Sequence, residues 1–284
     1  MNLISWNVQW CRGGDGRVSP GRIVSTARAM ADFDVLCLQE VANNYPELAG
    51  SAGENQFDTL KGLLPGYKLI KGVGTNVRSP DGRMREFGNV IITRLPVLQV
   101  YRHLLPWPAD HDVPSMQRAA LEAVLQLPSG PVRVTTTHLE YYSARQRAAQ
   151  VECLRELQIE AAGHEGPQPR PEPPGGPFDP MPRPSSSILT GDFNLKPEDP
   201  LHARMQAPLA QGVPSYRDAW QARYPGVGHA ATLGLCDKEQ WPDDPFCCDF
   251  IFVTEDLAGR VEEVAVNQLT KASDHQPVML NLRD

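Results

Sequence analysis

The chain has 284 residues, 41% of them hydrophobic and 21% charged, an ordinary balance for a protein that folds around a substantial core. No apolar run approaches the roughly 20 residues that span a bilayer. A net charge of −7 without any Lys/Arg run disfavours long duplex nucleic acid, whose backbone calls for a basic face.

Met1 to Asn7 read as a short strand ending on a polar residue, unlike a basic and apolar leader, so a cytoplasmic protein is expected. Six scattered cysteines without disulfide-framework spacing agree with that. Ten β-like segments follow one another: Leu3–Val8, Val35–Gln39, Asn89–Thr93, Val97–His103, Ala119–Leu127, Val132–Leu139, Ser187–Thr190, Asp249–Val253, Val261–Asn267 and Val278–Leu282. Some alternate with period two, and Val35–Leu38 is continuously apolar, as a doubly covered central strand would be. Between them, Ser19-Pro20 opens a helix carrying Ile23, Ala27 and Met30. Phe57, Leu60 and Leu64 mark a second helix, and Ala148, Val151, Leu154, Leu157 and Ala161 line one face of a third over Ala144–Ala162. The Pro/Gly-rich stretch at about 163–187 is expected to be a partly mobile surface insertion within a single domain spanning 1–284, because residues needed for one chemistry lie on both sides of it. The stretches 50–56, 71–87, 107–116 and 226–246 read as loops.

Polar residues recur where apolar strands end. They are Asn7 after Ser5-Trp6, Glu40 after Leu38-Gln39, His138 after a Thr-rich strand, Asp192 and Asn194 in Gly191-Asp192-Phe193-Asn194, Asp249 after Cys248, and Asp274-His275 before Gln276-Pro277. Singly, each is as well explained by a turn or a solvated strand end. Together they supply carboxylate oxygens suited to Mg²⁺, two histidines for proton transfer near neutral pH, and amides that orient phosphate or water without adding charge.

In order and spacing, Trp6-Asn7, Leu38-Gln39-Glu40, Gly88-Asn89-Val90, Thr137-His138-Leu139, Gly191-Asp192-Phe193-Asn194, Asp249-Phe250-Ile251 and Ser273-Asp274-His275-Gln276-Pro277 resemble the endonuclease/exonuclease/phosphatase superfamily from residue 2 to residue 282. The resemblance implies an α/β fold, the deoxyribonuclease I-like four-layer αββα sandwich of two mixed sheets flanked by helices. It also implies hydrolysis of a phosphate ester with Mg²⁺, or Mn²⁺ in its place. Glu40 would be the main metal ligand, with Asn7 nearby and Asp274 supporting the metal or His275. Asp192 would orient or deprotonate the attacking water, and Asn194 would hold the phosphate. His275, held by Asp249, would stabilise the developing charge, His138 would contact the phosphate from the other side, and Arg118 matches a family arginine that supports the site. Two positions depart from the pattern: Gln9 stands where DNA-repair members often carry Asp, and Cys247-Cys248 stand where many members carry a basic residue before Asp249.

The acidic balance and the missing carboxylate point to a phosphodiesterase or phosphatase acting on a modest-sized substrate. A DNA or RNA nuclease is the alternative, and a non-catalytic binding module the remote one. Arg85, in the loop before Gly88-Asn89, is either a phosphate contact or part of a solvated hairpin tip. Tyr141, Tyr142 and Arg145, just past His138, are expected to shape the substrate pocket. A zinc site of His229, Cys236, Cys247 and Cys248 lacks any C-x-x-C pair, so these are read as packing cysteines and a loop histidine. Trp107, Trp220 and Trp241 are read as rim packing rather than stacking platforms.

Overall fold

A computed structural model of the chain describes residues 1–166, 169 and 174–284. The apolar segments form strands β1 (Asn2–Asn7), β2 (Val35–Asn43), β3 (Lys68–Arg78), β4 (Met84–Thr93), β5 (Val97–Leu104), β6 (Ala119–Leu127), β7 (Gly130–His138), β8 (Ser187–Asp192), β9 (Tyr216–Asp218), β10 (Asp249–Thr254), β11 (Val261–Val266) and β12 (Val278–Leu282). They assemble into two mixed six-stranded sheets, ordered β11-β12-β1-β2-β4-β3 and β5-β6-β7-β8-β10-β9. Helices α1 (Pro20–Met30), α2 (Gln56–Leu63), α3 (Ala144–Gly163), α4 (Pro200–Gln206), α5 (Ala219–Arg223) and α6 (Glu255–Ala258), with a short 3₁₀ turn at Gln9–Cys11, complete the described elements. Among the described residues no helix is long and apolar enough to cross a membrane.

Strand alternation sorts the side chains into layers. Leu3, Val35, Cys37 and Ile91 of the first sheet meet Leu121, Val134, Ile188 and Ile251 of the second in a core between the sheets. The opposite faces carry Ile4, Leu36 and Leu38 against Ile23, Ala27 and Phe57 of α1 and α2, and Leu189 and Phe252 against Val151, Leu154 and Met205 of α3 and α4. The result is helix, sheet, sheet, helix. Ser19 caps α1 and Ser143 caps α3, each hydroxyl accepting a backbone N–H three residues on.

The stretch 71–87 is not a loop. It forms the β3–β4 hairpin at the end of the first sheet, register-paired from Lys68↔Thr93 to Arg78↔Met84. Its outer half is exposed on both faces, so no alternation marked it as strand. The Pro-rich stretch departs from expectation at its far end, while 167, 168 and 170–173 lie outside the described residues. Arg183 is buried at 5% exposure and pairs with Glu160 of α3 and, at 3.5 Å, with Glu122 of β6. Arg133 of β7 binds the other Glu122 oxygen at 2.9 Å and donates to the Pro184 carbonyl at 2.6 Å. Two buried guanidinium groups thus neutralise one buried carboxylate beneath the returning chain, which buried charge requires.

In both sheets the central strands β1/β2 and β7/β8 run parallel and end at one rim. Gly191, next to last in β8, has φ +147°, and an added Cβ would lie 1.9 Å from the Thr137 carbonyl oxygen. Backbone on both sides makes that clash unrelievable. Gly191→Ala is therefore expected to destabilise the protein by about 4 kcal/mol or more, the upper end for one substitution, measured by urea unfolding; a loss within about 1 kcal/mol would show that β8 can shift away from β7.

Candidate active site

Register brings the polar strand ends together. In the second sheet His138 pairs with Asp192, and Asp192 with Asp249, across three adjacent strands. In the first, Asn7 pairs with Gln39, which places Glu40 at its side, and the segment entering β12 carries Asp274 and His275 to the same rim.

Local backbone devices aim the groups. Leu36 and Leu38 face the helices, so alternation alone would send Glu40 the same way. A bulge between Leu38 and Val41, with Glu40 at φ +60°, lets Val41 take the helix-facing place and frees the carboxylate for the rim. Asn194 also has positive φ, and its N–H binds Asp192 Oδ1 at 2.9 Å. Fully buried Trp6 donates its indole N–H to the His275 carbonyl at 2.9 Å, and Ser273 Oγ donates to the Asn7 carbonyl at 2.9 Å, fixing the Asp274–His275 segment against β1.

The resulting cleft, of about 230 Å³, is lined by Glu40, Arg118, His138, Asp192, Asn194, Asp274 and His275, and also by Gln9, Trp10, Tyr141, Tyr142, Gln240 and Trp241. Asn7 Nδ2 donates to Glu40 Oε1 at 3.0 Å and to Asp192 Oδ2 at 2.9 Å, joining the two sheets. Asp192 Oδ2 lies 3.4 Å from His138 Nε2 and 3.7 Å from His275 Nε2. Asn194 Nδ2 contacts His138 Nε2 at 3.0 Å.

Asp249 Oδ2 lies 2.9 Å from His275 Nδ1 and accepts the Thr232 hydroxyl at 2.6 Å. Burial opposes charge on His275, but Asp249, Asp274 and Asp192 together raise its pKa well above that of a free histidine, so it is an imidazolium at neutral pH. His138 goes the other way. Burial and then Arg118 and His275 hold it well below the usual value, and it is neutral. Burial, followed by Asp274, pushes Glu40 up to about 7; burial pushes Asp192 up to about 6 against the pull of His275.

Asp274 Oδ2 accepts N–H bonds from Gln9 Nε2 at 3.0 Å and Trp241 Nε1 at 3.2 Å. Glu40 keeps the freer carboxylate, with Asn7 as its hydrogen-bond donor. An oxygen-rich set in which burial and a neighbouring carboxylate both penalise negative charge suits a hard divalent cation such as Mg²⁺ or Mn²⁺. Arg118 donates from Nε to Glu140 at 3.1 Å, and among the described residues its buried Nη1 has no hydrogen-bond partner.

Not every residue singled out from the sequence reaches the cleft. Arg85 sits on the hairpin, paired with Glu47 at 2.6 Å and lying over the Tyr45 ring. Arg145 points outward and donates to the Ala109 carbonyl at 3.1 Å, because the first turn of α3 carries it away from the rim. Tyr141 does line the cleft and meets Trp241 edge to face at 6.1 Å; Trp241 is therefore part of the wall, not rim packing. Tyr142, the second tyrosine past His138, lines the cleft as well, whereas Thr232 and Gln240 carried no motif. Thr232 was readable only through the fold, since it follows a loop and faces Asp249 from outside β10. Cys236 lies against the Ser273 carbonyl at 3.5 Å, while Cys248 abuts Asp249 and burial pushes its thiol up, so the four-residue zinc set does not assemble.

The chain matches the model of a family described as the endonuclease/exonuclease/phosphatase family over residues 4–275. Comparison with curated proteins returned no match. Among solved structures, an endonuclease/exonuclease/phosphatase from Beutenbergia cavernae is similar with a TM-score of 0.67 and 22% identity, over 100% of this chain and 71% of that one. A humanized TDP2 from D. rerio gives 0.64 and 18%, over 100% and 99%. A mannosyl-6-phosphatase from Bacteroides thetaiotaomicron gives 0.60 and 16%, over the whole of both chains. At these identities the likeness is one of fold, the deoxyribonuclease I-like sandwich.

Asp249→Asn removes the negative partner of His275. The His275 pKa is expected to fall, read from imidazole nitrogen NMR shifts against pH; an unmoved titration would mean that Asp192 and Asp274 suffice to hold the proton.

Proposed function

The chain belongs to the endonuclease/exonuclease/phosphatase family, and from that premise we propose that this hydrolase is a Mg²⁺- or Mn²⁺-dependent enzyme cleaving the P–O bond of a modest-sized phosphate ester. The observation that carries the reading is Asp192. Its carboxylate stands between two imidazoles of opposite protonation state and is tied through Asn7 to Glu40. Groups of matched chemistry whose environments drive their pKa values apart mark acid and base roles.

Glu40, with Asn7 and Asp274 close by, would hold the cation, which when bound polarises a phosphoryl oxygen. Asp192, ionised above about pH 6, accepts the proton of the attacking water. His275, kept cationic by Asp249, donates to the phosphoryl oxygen on which charge develops. Neutral His138 and the Asn194 amide hold the phosphate from the other side, and the unpartnered Arg118 Nη1 supplies a further donor toward it. A cleft of about 230 Å³ walled by Tyr141 and Trp241, on a chain of net charge −7, favours a small ester over a polymer. We take 1–284 as one catalytic domain; its six free cysteines fit a reducing cytoplasm.

The test is hydrolysis of bis-p-nitrophenyl phosphate and p-nitrophenyl phosphate with Mg²⁺, Mn²⁺ or EDTA. Turnover is expected to vanish in EDTA and to fall about 10²- to 10⁴-fold in His275→Ala. Full activity in EDTA would overturn the metal dependence. Single-stranded DNA or RNA cleaved with a higher kcat/KM than either ester would replace this reading with the nuclease one.

A second expectation concerns pH. Glu40 is protonated below about 7, so a cation must displace that proton there. Apparent Mg²⁺ affinity should therefore drop as pH falls through about 7, by at most about tenfold per pH unit for one proton, and level off above it. Calorimetric titrations at several pH values check the slope. A flat profile would mean that Glu40 is not a ligand.

A further inference from the structure

A second cluster of metal-ligating side chains lies outside the cleft. His202 Nε2 of α4 and His229 Nε2, from the loop before β10, lie 2.7 and 2.8 Å from the same Asp218 oxygen, Oδ2, at the end of β9. All three donor atoms fall within 4.8 Å of one another. Asp218 is 1% exposed and His202 2%, and the His229 side chain is 7% exposed. Helix α4, strand β9 and the loop before β10 therefore converge on one point.

The surroundings are those of a ligand set. Asp218 Oδ1 is already fixed by the backbone N–H groups of Trp220 at 2.8 Å and Gln221 at 3.3 Å, leaving Oδ2 as a single directed donor. The imidazoles are walled by rings: His202 by Phe250 at 4.8 Å and Phe252 at 5.5 Å, and His229 by Trp220 at 5.9 Å. A polar centre inside an apolar shell excludes competing water and holds ligands in place.

We propose that His202, His229 and Asp218 form a structural binding site for Zn²⁺ or a similar transition-metal ion, separate from the catalytic cleft. Two borderline imidazole donors with one carboxylate make a set that suits zinc, whereas the oxygen set around Glu40 suits Mg²⁺. Tetrahedral zinc with bonds of about 2.0 Å sets ligand atoms about 3.3 Å apart, about half an ångström beyond the present imidazole–carboxylate separations and inside the 4.8 Å within which all three atoms lie. A void of about 10 Å³ lies against Asp218 and His229, at the lower limit for one water. Cys247 lines the same void, but its Sγ is directed to the Asp249 carbonyl at 3.4 Å. The ion would pin the loop that carries Thr232, three residues past His229, and Thr232 holds Asp249.

The test does not depend on the chain being a hydrolase. Wild-type protein and Glu40→Gln are stripped with chelator, loaded with Zn²⁺ under excess Mg²⁺, desalted and analysed by atomic emission. One retained zinc per chain is expected in both, with an upward shift in Tm and, after Co²⁺ exchange, visible d–d bands of a low-coordinate nitrogen–oxygen site. His202→Gln and His229→Gln should each lose the zinc while keeping a native circular dichroism spectrum. Failure of Glu40→Gln to retain zinc, cobalt spectra of an octahedral all-oxygen site, or zinc kept by folded His229→Gln would each overturn the proposal. The cobalt spectrum is read on chains with both histidines intact, so it stands even if a variant misfolds.

Discussion

The side-chain amide of Asn7 reaches across the gap between two sheets. One NH₂ group satisfies Glu40, on its own sheet, and Asp192, on the other. A neutral donor can hold two buried carboxylates close without neutralising either, which a Lys or Arg would do. The β1–β2 and β7–β8 registers, the Glu40 bulge and the Gly191 contact all serve to set that span.

Around this tie the site is divided by charge. Glu40 and Asp192 are pushed toward protonation by burial, His275 is held cationic by three carboxylates, and His138 is held neutral. The shifts of Glu40, Asp192 and His138 record the burial of groups that water would solvate better, whereas the upward shift of His275 records its attraction to three carboxylates. On the proposed reading a divalent cation would relieve the burden on the two carboxylates, and its binding would stabilise the rim as well as load it.

Much of this was legible in the sequence because apolar runs fix strands, and a strand delivers its last polar residue to a rim. Asn7, His138 and Asp192 follow that rule, and Asp249, first in the antiparallel β10, meets them. What could not be read depends on contacts between distant segments or on backbone irregularity. Period-two reasoning would turn Glu40 toward the helices; a bulge turns it back. Thr232 acts by facing Asp249 across a loop, and Trp241 by donating to Asp274, and neither sits in a patterned element. Arg85 and Arg145 are close in sequence to residues of the rim, yet strand and helix geometry spend them on Glu47 and on a backbone carbonyl. The β3–β4 hairpin was hidden because an end hairpin with both faces wet has no burial pattern to display.

The buried ion cluster of Glu122, Arg133 and Arg183 has a consequence for how such a chain can diverge. Glu160 at the end of α3 and Arg183 before β8 clasp each other, and Arg133 receives the returning backbone at Pro184. The two ends of the Pro-rich stretch are thus locked to the sheet independently of what joins them. Doubling the length of the joining segment would raise its closure cost by only about 0.6 kcal/mol. Relatives with longer, shorter or differently composed segments there can keep the same rim chemistry, and this corner of the fold is where a tag, a peptide epitope or a whole inserted module can be spliced without disturbing Asp192.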